Sequence, residues 1–308
     1  MVFGTGPLGL AVMRELRSRG IRVRMVNRSS RVRFAKDSQT EVGGIDAADP
    51  GQAREACEGA TVVYHCIGLP YPHWTEFPAI ATGIIEGAAS AGAKLVYGDN
   101  LYAYGPVDKP MTEDLPPVAA TKKGCIRAGV ARELMNAHTA GKLRVAIGRG
   151  SDFFGPFATE AAMMGSRVFG RALAGKAAQA VGNPDRLHTY TFIDDFGKAL
   201  VTLGARDEAL GKAWHVPSAP AMTTRGFVEK VYGALGKRAK LSTVPRFAIA
   251  LWGSFDENVR EVREMLYQFE RDFVMDSSRF ESAFGTRPTP VDDAIRQTLA
   301  WYRTRPSS

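Results

Sequence analysis

The first chemistry-bearing residues of the chain form a cradle for phosphate. Gly4, Thr5, Gly6, Pro7, Leu8 and Gly9 spell G-x-G-x-x-G between a short apolar run and a helical pattern. In that setting the first glycine permits a tight turn and the second lets backbone N–H groups approach a pyrophosphate. The third lets the following helix sit close to the preceding strand. The helix N-terminus then presents free donors and the positive end of its dipole to the anion. The spacing reads as a dinucleotide-binding loop.

The end of the next strand speaks to which dinucleotide. A site that grips the ribose 2′-hydroxyl usually offers Asp or Glu there, but this chain runs Val26, Asn27, Arg28, Ser29, Ser30, Arg31, with no carboxylate before Asp37. Arg28 and Arg31 can pair with a 2′-phosphate, and the Ser29 and Ser30 hydroxyls can donate to it. The expectation is NADP(H) in preference to NAD(H). Asn27 belongs to the same turn, and Asp46, ending a third strand candidate, is placed as an adenine neighbour.

These groups need a scaffold at the edge of a sheet. Strand candidates are Met1–Gly4, Arg22–Asn27, Gly43–Asp46, Thr61–Cys66, Lys94–Gly98 and Leu143–Gly148. Helical patterns lie between them at Leu8–Ser18, Gln52–Glu58, Phe77–Ala91 and Cys125–Thr139. This alternation predicts an α/β fold, a doubly wound parallel sheet of Rossmann type with helices on both faces. The second half is less regular. A helix is expected within Thr159–Ala180, a strand at His188–Ile193, a helix from Asp195 to Gly204 and a strand at Trp214–Val216. A helix capped by Thr223 or Thr224 should run to Leu235, followed by helices at Glu257–Phe269, Ser278–Phe284 and Val291–Tyr302. The expected division is a dinucleotide-binding domain over 1–155, with 186–212 returning to it. A smaller C-terminal substrate-binding portion would comprise 156–185 and 213–308.

Several segments resemble the extended short-chain dehydrogenase/reductases of the NAD(P)-dependent epimerase/dehydratase type. Val62 to Cys66 is similar to that family's fourth strand. Val96 to Gly105 (Val-Tyr-Gly-Asp-Asn-Leu-Tyr-Ala-Tyr-Gly) resembles its fifth strand and Ser-Ser-x-x-x-Tyr-Gly loop. Gly148 to Pro156 resembles its Arg-x-x-x-x-Tyr-Gly-Pro segment, His188 to Asp195 a late strand and turn, and Val291–Tyr302 its last helix. The resemblance implies that Cys66, Ile67 and Gly68 lie along the cofactor and Phe153 beside the nicotinamide. It also implies a catalytic Ser, Tyr and Lys, the last two spaced as Tyr-x-x-x-Lys. Here those positions fall on Asn100, Lys123 and Arg127, and the glycine loop is one residue shorter than the family's usual form.

Lys123 is thus the positional substitute for the phenol. Like charge from the nicotinamide ring and Arg127, together with burial, would ready it to pass a proton at neutral pH, whereas a solvated helix start is its plain structural role. Tyr104 and Tyr102 are the next acid/base candidates. Asn100 could hydrogen-bond a substrate carbonyl, Asp99 could orient Lys123, and Arg127 should lie near the cofactor ribose. His65, on an apolar strand, reads as a core histidine. The loop Leu69–Trp74, with Phe153, Phe154, Met163, Met164 and Phe169, suggests an apolar substrate pocket.

Composition sets the outer bounds. The chain has 308 residues, 45% hydrophobic and 23% charged, the balance of a globular protein. It lacks metal-ligand spacing and a G-x-S-x-G nucleophile elbow. The three cysteines, Cys57, Cys66 and Cys125, are too few and too scattered for a disulfide framework. Membrane association is not expected, and a cytoplasmic setting is. The net charge is +8, with eight arginines between Arg14 and Arg33 facing one acid, Glu15. Without a nucleic-acid-binding signature this reads as a solvated face, so nucleic acid is not an expected partner. Small residues on Phe77–Ala91 and Cys125–Thr139 (Ala81, Gly83, Gly87, Ala88, Gly129, Ala131) suggest a homodimer through a four-helix contact. The leading reading is an atypical NADP(H)-dependent oxidoreductase moving hydride to or from a small, apolar carbonyl, imine or alkene. The alternatives are a non-catalytic NADP(H) sensor and a nucleotide-sugar epimerase or dehydratase.

Overall fold

The computed structural model describes residues 1–31, 38–160, 162–244, 261 and 263–304. Seven parallel strands form the main sheet: β1 (Val2–Phe3), β2 (Val23–Asn27), β3 (Thr40–Gly44), β4 (Val62–His65), β5 (Lys94–Asp99), β6 (Arg144–Arg149) and, later in the chain, Lys212–His215. Their spatial order is β3-β2-β1-β4-β5-β6 and then that last strand. The order reverses between β1 and β4, and ligands of open α/β sheets bind in the crevice this opens at the carboxyl edge.

Helices α1 (Pro7–Ser18), α2 (Pro50–Cys57), α3 (Phe77–Ser90) and α4 (Lys122–Thr139) join the first six strands. Each start has a local cause. Gly6 and Pro7 open α1. Asp49 accepts from Gly51 and Gln52 N–H at the head of α2. Thr121 accepts from Gly124 N–H at the head of α4. One face of the sheet is covered by α2, α3 and α4 around Phe3, Ile84, Leu95, Val130, Leu134 and Val145.

The chain then gives β7 (Asp152–Phe154), a helical turn α5 (Arg171–Leu173), β8 (Ala178–Val181), β9 (Leu187–His188), β10 (Tyr190–Phe192) and α6 (Ile193–Ala205). After these come β11, the Lys212–His215 strand of the main sheet, then β12 (Met222–Thr223), α7 (Thr224–Gly233), β13 (Leu241–Val244), α8 (Tyr267–Glu270), α9 (Ser278–Phe284) and α10 (Val291–Arg303). Helices α1 and α6 cover the second face with Phe280 of α9. Phe154, Phe169, Tyr190, Phe227, Val231, Ile295 and Leu299 build a separate apolar cluster. The main sheet therefore extends to His215, three residues past the expected 186–212 return.

Two expectations fail in this half. The expected helix within Thr159–Ala180 is instead a π turn over Ser166–Gly170, the turn α5 and the strand β8. Glycines interrupt the pattern: a Cβ on Gly165 would lie 1.9 Å from the Thr159 carbonyl oxygen, and Gly175 takes φ +70°. The expected helix Glu257–Phe269 falls partly outside the described residues. Its described part holds a 3-10 turn, Arg263–Met265, and the start of α8. By contrast, α9 matches its expected range.

The small residues of α3 also serve another purpose than expected. A Cβ on Gly83 would lie 2.1 Å from the Ala47 carbonyl oxygen, and one on Gly87 2.5 Å from that of Ala53. They let α3 pack on α2 and its entry within one subunit. Ala81 and Ala88 are core residues. Only Gly129 of the proposed contact residues opens into space, beside Thr75, Pro78, Cys125, Ile126 and Glu133. The arginines near the N-terminus are largely paired: Arg14 with Asp194, Arg19 with Glu15, Arg24 with Glu41 and Arg28 with Glu76.

Candidate active site

The glycine loop has the geometry its chemistry needs. Gly4 takes φ +104°, and a Cβ there would lie 2.7 Å from the Cys66 carbonyl oxygen at the end of β4. A Cβ on Gly9 would lie 2.0 Å from the Gly4 carbonyl oxygen, so α1 can approach β1 only with glycine at this position. Gly6 differs. Nothing lies within 4 Å of a Cβ built on it, and its side of the loop is open. No side chain caps α1, and its first turn carries no acid. Open space, free N–H donors and an uncapped dipole make a fitting seat for a pyrophosphate. Gly68, beyond β4, is likewise open.

The turn after β2 is more heavily engaged than the sequence suggested. Asn27 Nδ2 donates to Thr5 Oγ1 at 2.6 Å and to the Arg31 carbonyl at 2.7 Å, and Asn27 Oδ1 accepts from Ser29 N–H at 2.8 Å. Asn27 thus knits the turn to the glycine loop. Arg28 is held by the Glu76 carboxylate, and its Nε lies 3.6 Å from Asp46 Oδ1. The Arg28 hydrogen bond holds the Glu76 carboxyl below its ordinary value, and His73 Nδ1 meets its other oxygen at 3.0 Å. Ser29, Ser30 and Arg31 are exposed.

At the end of β4, Cys66 is buried and its thiol pushed up by desolvation, so it is a packing group rather than a nucleophile. Ile67 N–H donates to His65 Nδ1 at 3.3 Å. His65 is fully buried and pushed down to about 3 by desolvation, as a core histidine should be.

Lys123, at the head of α4, is 1% exposed. Its ammonium donates to Glu261 Oε2 at 2.5 Å and Glu264 Oε1 at 2.7 Å, and lies 4.9 Å from the centre of the Tyr71 ring. Glu264 also accepts from the backbone N–H of Lys122 and Lys123, at 2.9 and 3.2 Å. The expected solvated helix start is therefore absent, and two carboxylates stand at the ammonium where a like charge had been expected. Asp99 does not orient Lys123. It receives Arg149 Nε at 3.1 Å and lies 3.7 Å from Arg127 Nη1. Arg127 donates to the Tyr97 hydroxyl and stacks on Trp74 and Phe77, 4.6 and 4.2 Å from their ring centres.

Tyr104 ends the short turn that follows β5. It is fully buried, and Arg149 Nη1 donates to its hydroxyl at 2.8 Å. That hydroxyl donates in turn to His215 Nε2 at 2.8 Å, because His215 Nδ1 spends its proton on the Asp276 carbonyl. Burial pushes His215 down to about 4. Asn100 Oδ1 accepts from Tyr102 N–H at 3.1 Å, closing the turn after β5. The Tyr102 hydroxyl pairs with that of Tyr71 at 3.0 Å. Phe153 is half-buried on β7, but Phe154, Met164 and Phe169 are core, so the expected apolar pocket is not formed by them.

Sequence reasoning missed Glu76, Glu261, Glu264 and a His188–Asp152 pair, in which Nε2 and Oδ2 are 2.9 Å apart. These partners arrive from 36 to 141 residues away and carry no local spacing signal. Among the described residues no cluster of three metal-ligating side chains occurs, and no helix is long and apolar enough to cross a membrane.

The profile of the NAD dependent epimerase/dehydratase family matches residues 2–216. Among curated proteins none matches the chain. Several solved structures share the fold. A double mutant of the dTDP-glucose 4,6-dehydratase of Streptomyces venezuelae, with NAD bound, is 17% identical with a TM-score of 0.80, over 98% of this chain and 96% of that one. The protein MoeE5, in complex with UDP-glucose and NAD, is 20% identical with a TM-score of 0.78, over 98% and 97%. The UDP-N-acetylglucosamine 4-epimerase of Bacillus cereus is 15% identical with a TM-score of 0.78, over 99% and 96%. At these identities the likeness is one of fold.

Proposed function

This chain belongs to the NAD dependent epimerase/dehydratase family, and from that premise we propose that it is a nicotinamide-dinucleotide enzyme acting on a nucleotide sugar by epimerase or dehydratase chemistry. This replaces the small apolar carbonyl as the favoured substrate. The observation that carries the choice is the polarity of the reactive edge. Tyr71, Tyr102, Lys123, Glu261 and Glu264 meet there, while Phe154, Met164 and Phe169 are spent in the core. Polar groups of this kind suit a substrate rich in hydroxyls. Relatives in fold are described with UDP-glucose and NAD, which supports the same reading.

The pyrophosphate would sit on the Gly4–Gly9 loop and the head of α1, with Asp46 toward the adenine and Cys66, Ile67, Gly68 and Phe153 along the remainder. Arg28, Ser29 and Arg31 are the groups for a 2′-phosphate, and on them rests the finer proposal of NADP(H). Held there, a nicotinamide would supply reversible hydride exchange at a carbinol carbon. The chain's own task is the hydroxyl proton. Lys123 is the acid/base candidate, exchanging that proton with Glu261 or Glu264, and Arg127 holds Tyr97 and the floor of the site. Asn100 shapes the turn beside it. In this reading 1–155 with 186–212 binds the dinucleotide, and 156–185 with 213–308, less β11, forms the substrate side.

The test is direct. The protein is incubated with NAD⁺ or NADP⁺ and a panel of UDP- and dTDP-hexoses, and the sugars are followed by proton NMR. A new epimer or a keto-deoxy sugar is expected. Unchanged sugars together with NADPH-dependent reduction of simple ketones would return the small-carbonyl reading. The ion-locked Lys123 favours one second reading, a non-catalytic sensor, which requires dinucleotide binding without turnover of either panel.

A further inference from the structure

Three charged side chains from three separate elements meet beside the glycine loop. Arg28 follows β2, Asp46 follows β3, and Glu76 immediately precedes α3. The Arg28 guanidinium lies 2.5 Å from Glu76 Oε2, and its Nε lies 3.6 Å from Asp46 Oδ1. Glu76 is itself steadied through its other oxygen by His73 Nδ1 at 3.0 Å. This clasp spans the mouth of the crevice at the end that receives the adenosine half of a dinucleotide. Arg28 is also the guanidinium the sequence offers to a 2′-phosphate, yet the structure gives it two carboxylates.

We propose that Glu76 sets the cofactor discrimination of this site by holding Arg28 away from the 2′-position. The proposal rests on the reading of the loop as a dinucleotide seat. A 2′-phosphate must draw Arg28 out of the clasp, whereas a 2′-hydroxyl leaves the clasp closed. All three side chains are partly solvated, with Arg28 55% exposed, so the clasp is an exposed ion pair of modest strength. It therefore lowers the preference for a phosphate without abolishing it. The effect is local to the adenosine end, so it should separate cleanly from anything at Lys123.

The experiment needs no substrate. Dissociation constants of NADPH and NADH are measured by isothermal titration calorimetry at fixed ionic strength on wild type, Glu76→Gln, Arg28→Ala and the double variant. Glu76→Gln should tighten NADPH by about three- to fivefold, the scale of the one exposed ion pair that the phosphate no longer has to break. NADH should stay within twofold. In the Arg28→Ala background the same change should shift NADPH by less than twofold, because the guanidinium it releases is gone. An unmoved NADPH-to-NADH ratio in Glu76→Gln overturns the proposal. So does an equal gain with and without Arg28, which would make Glu76 act on the phosphate directly. Absence of binding of either nucleotide to the folded wild type overturns the dinucleotide reading itself.

Discussion

Replacing Lys123 by Met isolates the ion cluster at the head of α4. Methionine keeps the unbranched stem and removes the ammonium. Two carboxylates then remain 2.5 and 2.7 Å from an empty position, with Glu261 and Glu264 side chains 26% and 27% exposed. Breaking a fully buried ion pair by removing one partner costs about 3–5 kcal/mol. Here the carboxylates keep part of their water, so about 2–3 kcal/mol is the expected loss. For a chain of this size that is a fall in Tm of roughly 3–5 °C. Melting followed by far-ultraviolet circular dichroism, checked by urea midpoints at constant slope, measures it. Adding Glu261→Gln and Glu264→Gln to Lys123→Met removes the uncompensated charges and should return about half of the loss. A Lys123→Met protein that melts within 1 °C of wild type would refute the ion cluster and, with it, the proton path drawn through it.

Four further outcomes are expected. Gly6→Ala should melt within about 2 °C of wild type, because nothing meets the new methyl, yet lose NADH and NADPH binding by more than tenfold. Gly9→Ala should lose both stability and binding, since its methyl would lie 2.0 Å from a carbonyl oxygen. A Gly6→Ala protein that binds normally would move the pyrophosphate elsewhere. Stability should fall as pH drops from 6.5, because burial depresses His65 to about 3 and His215 to about 4 while the unfolded histidines titrate near 6.5. The unfolded chain binds more protons in that window, so each histidine removes about 1 kcal/mol per pH unit on average between pH 7 and 5. Urea midpoints between pH 7 and 5 should show a slope that shrinks by about half in His215→Gln, and an undiminished slope contradicts the assignment. If the groove at Gly129 carries a dimer contact, light scattering after size exclusion should give a dimer for wild type and a monomer for Gly129→Arg. A wild-type monomer at micromolar concentration ends that proposal.

The parts of the fold that follow from neighbours in sequence were legible. Glycine spacing and β-branched runs announce β1 to β6 and α1 to α4 to within a few residues. What was not legible depends on distant partners. Arg28 is the same residue whether it faces a phosphate or Glu76, and only the approach of β4 and α3 decides. Lys123 reads as a solvated helix start until Glu261 and Glu264 arrive from the other end of the chain. Gly83 and Gly87 signal close packing, but the sequence does not say whether the partner is another subunit or the preceding helix. Apolar composition fails in the same way: Phe154 and Phe169 are as suitable for a pocket as for the core they form.

Glu264 carries a mechanical consequence. One carboxylate holds the Lys123 ammonium and closes the first turn of α4 through two backbone donors. Whatever draws Glu264 outward therefore leaves the ammonium to Glu261 alone and bares two N–H donors of the first turn in one step. Amide hydrogen exchange at Lys122 and Lys123 would register how often Glu264 lets go of both.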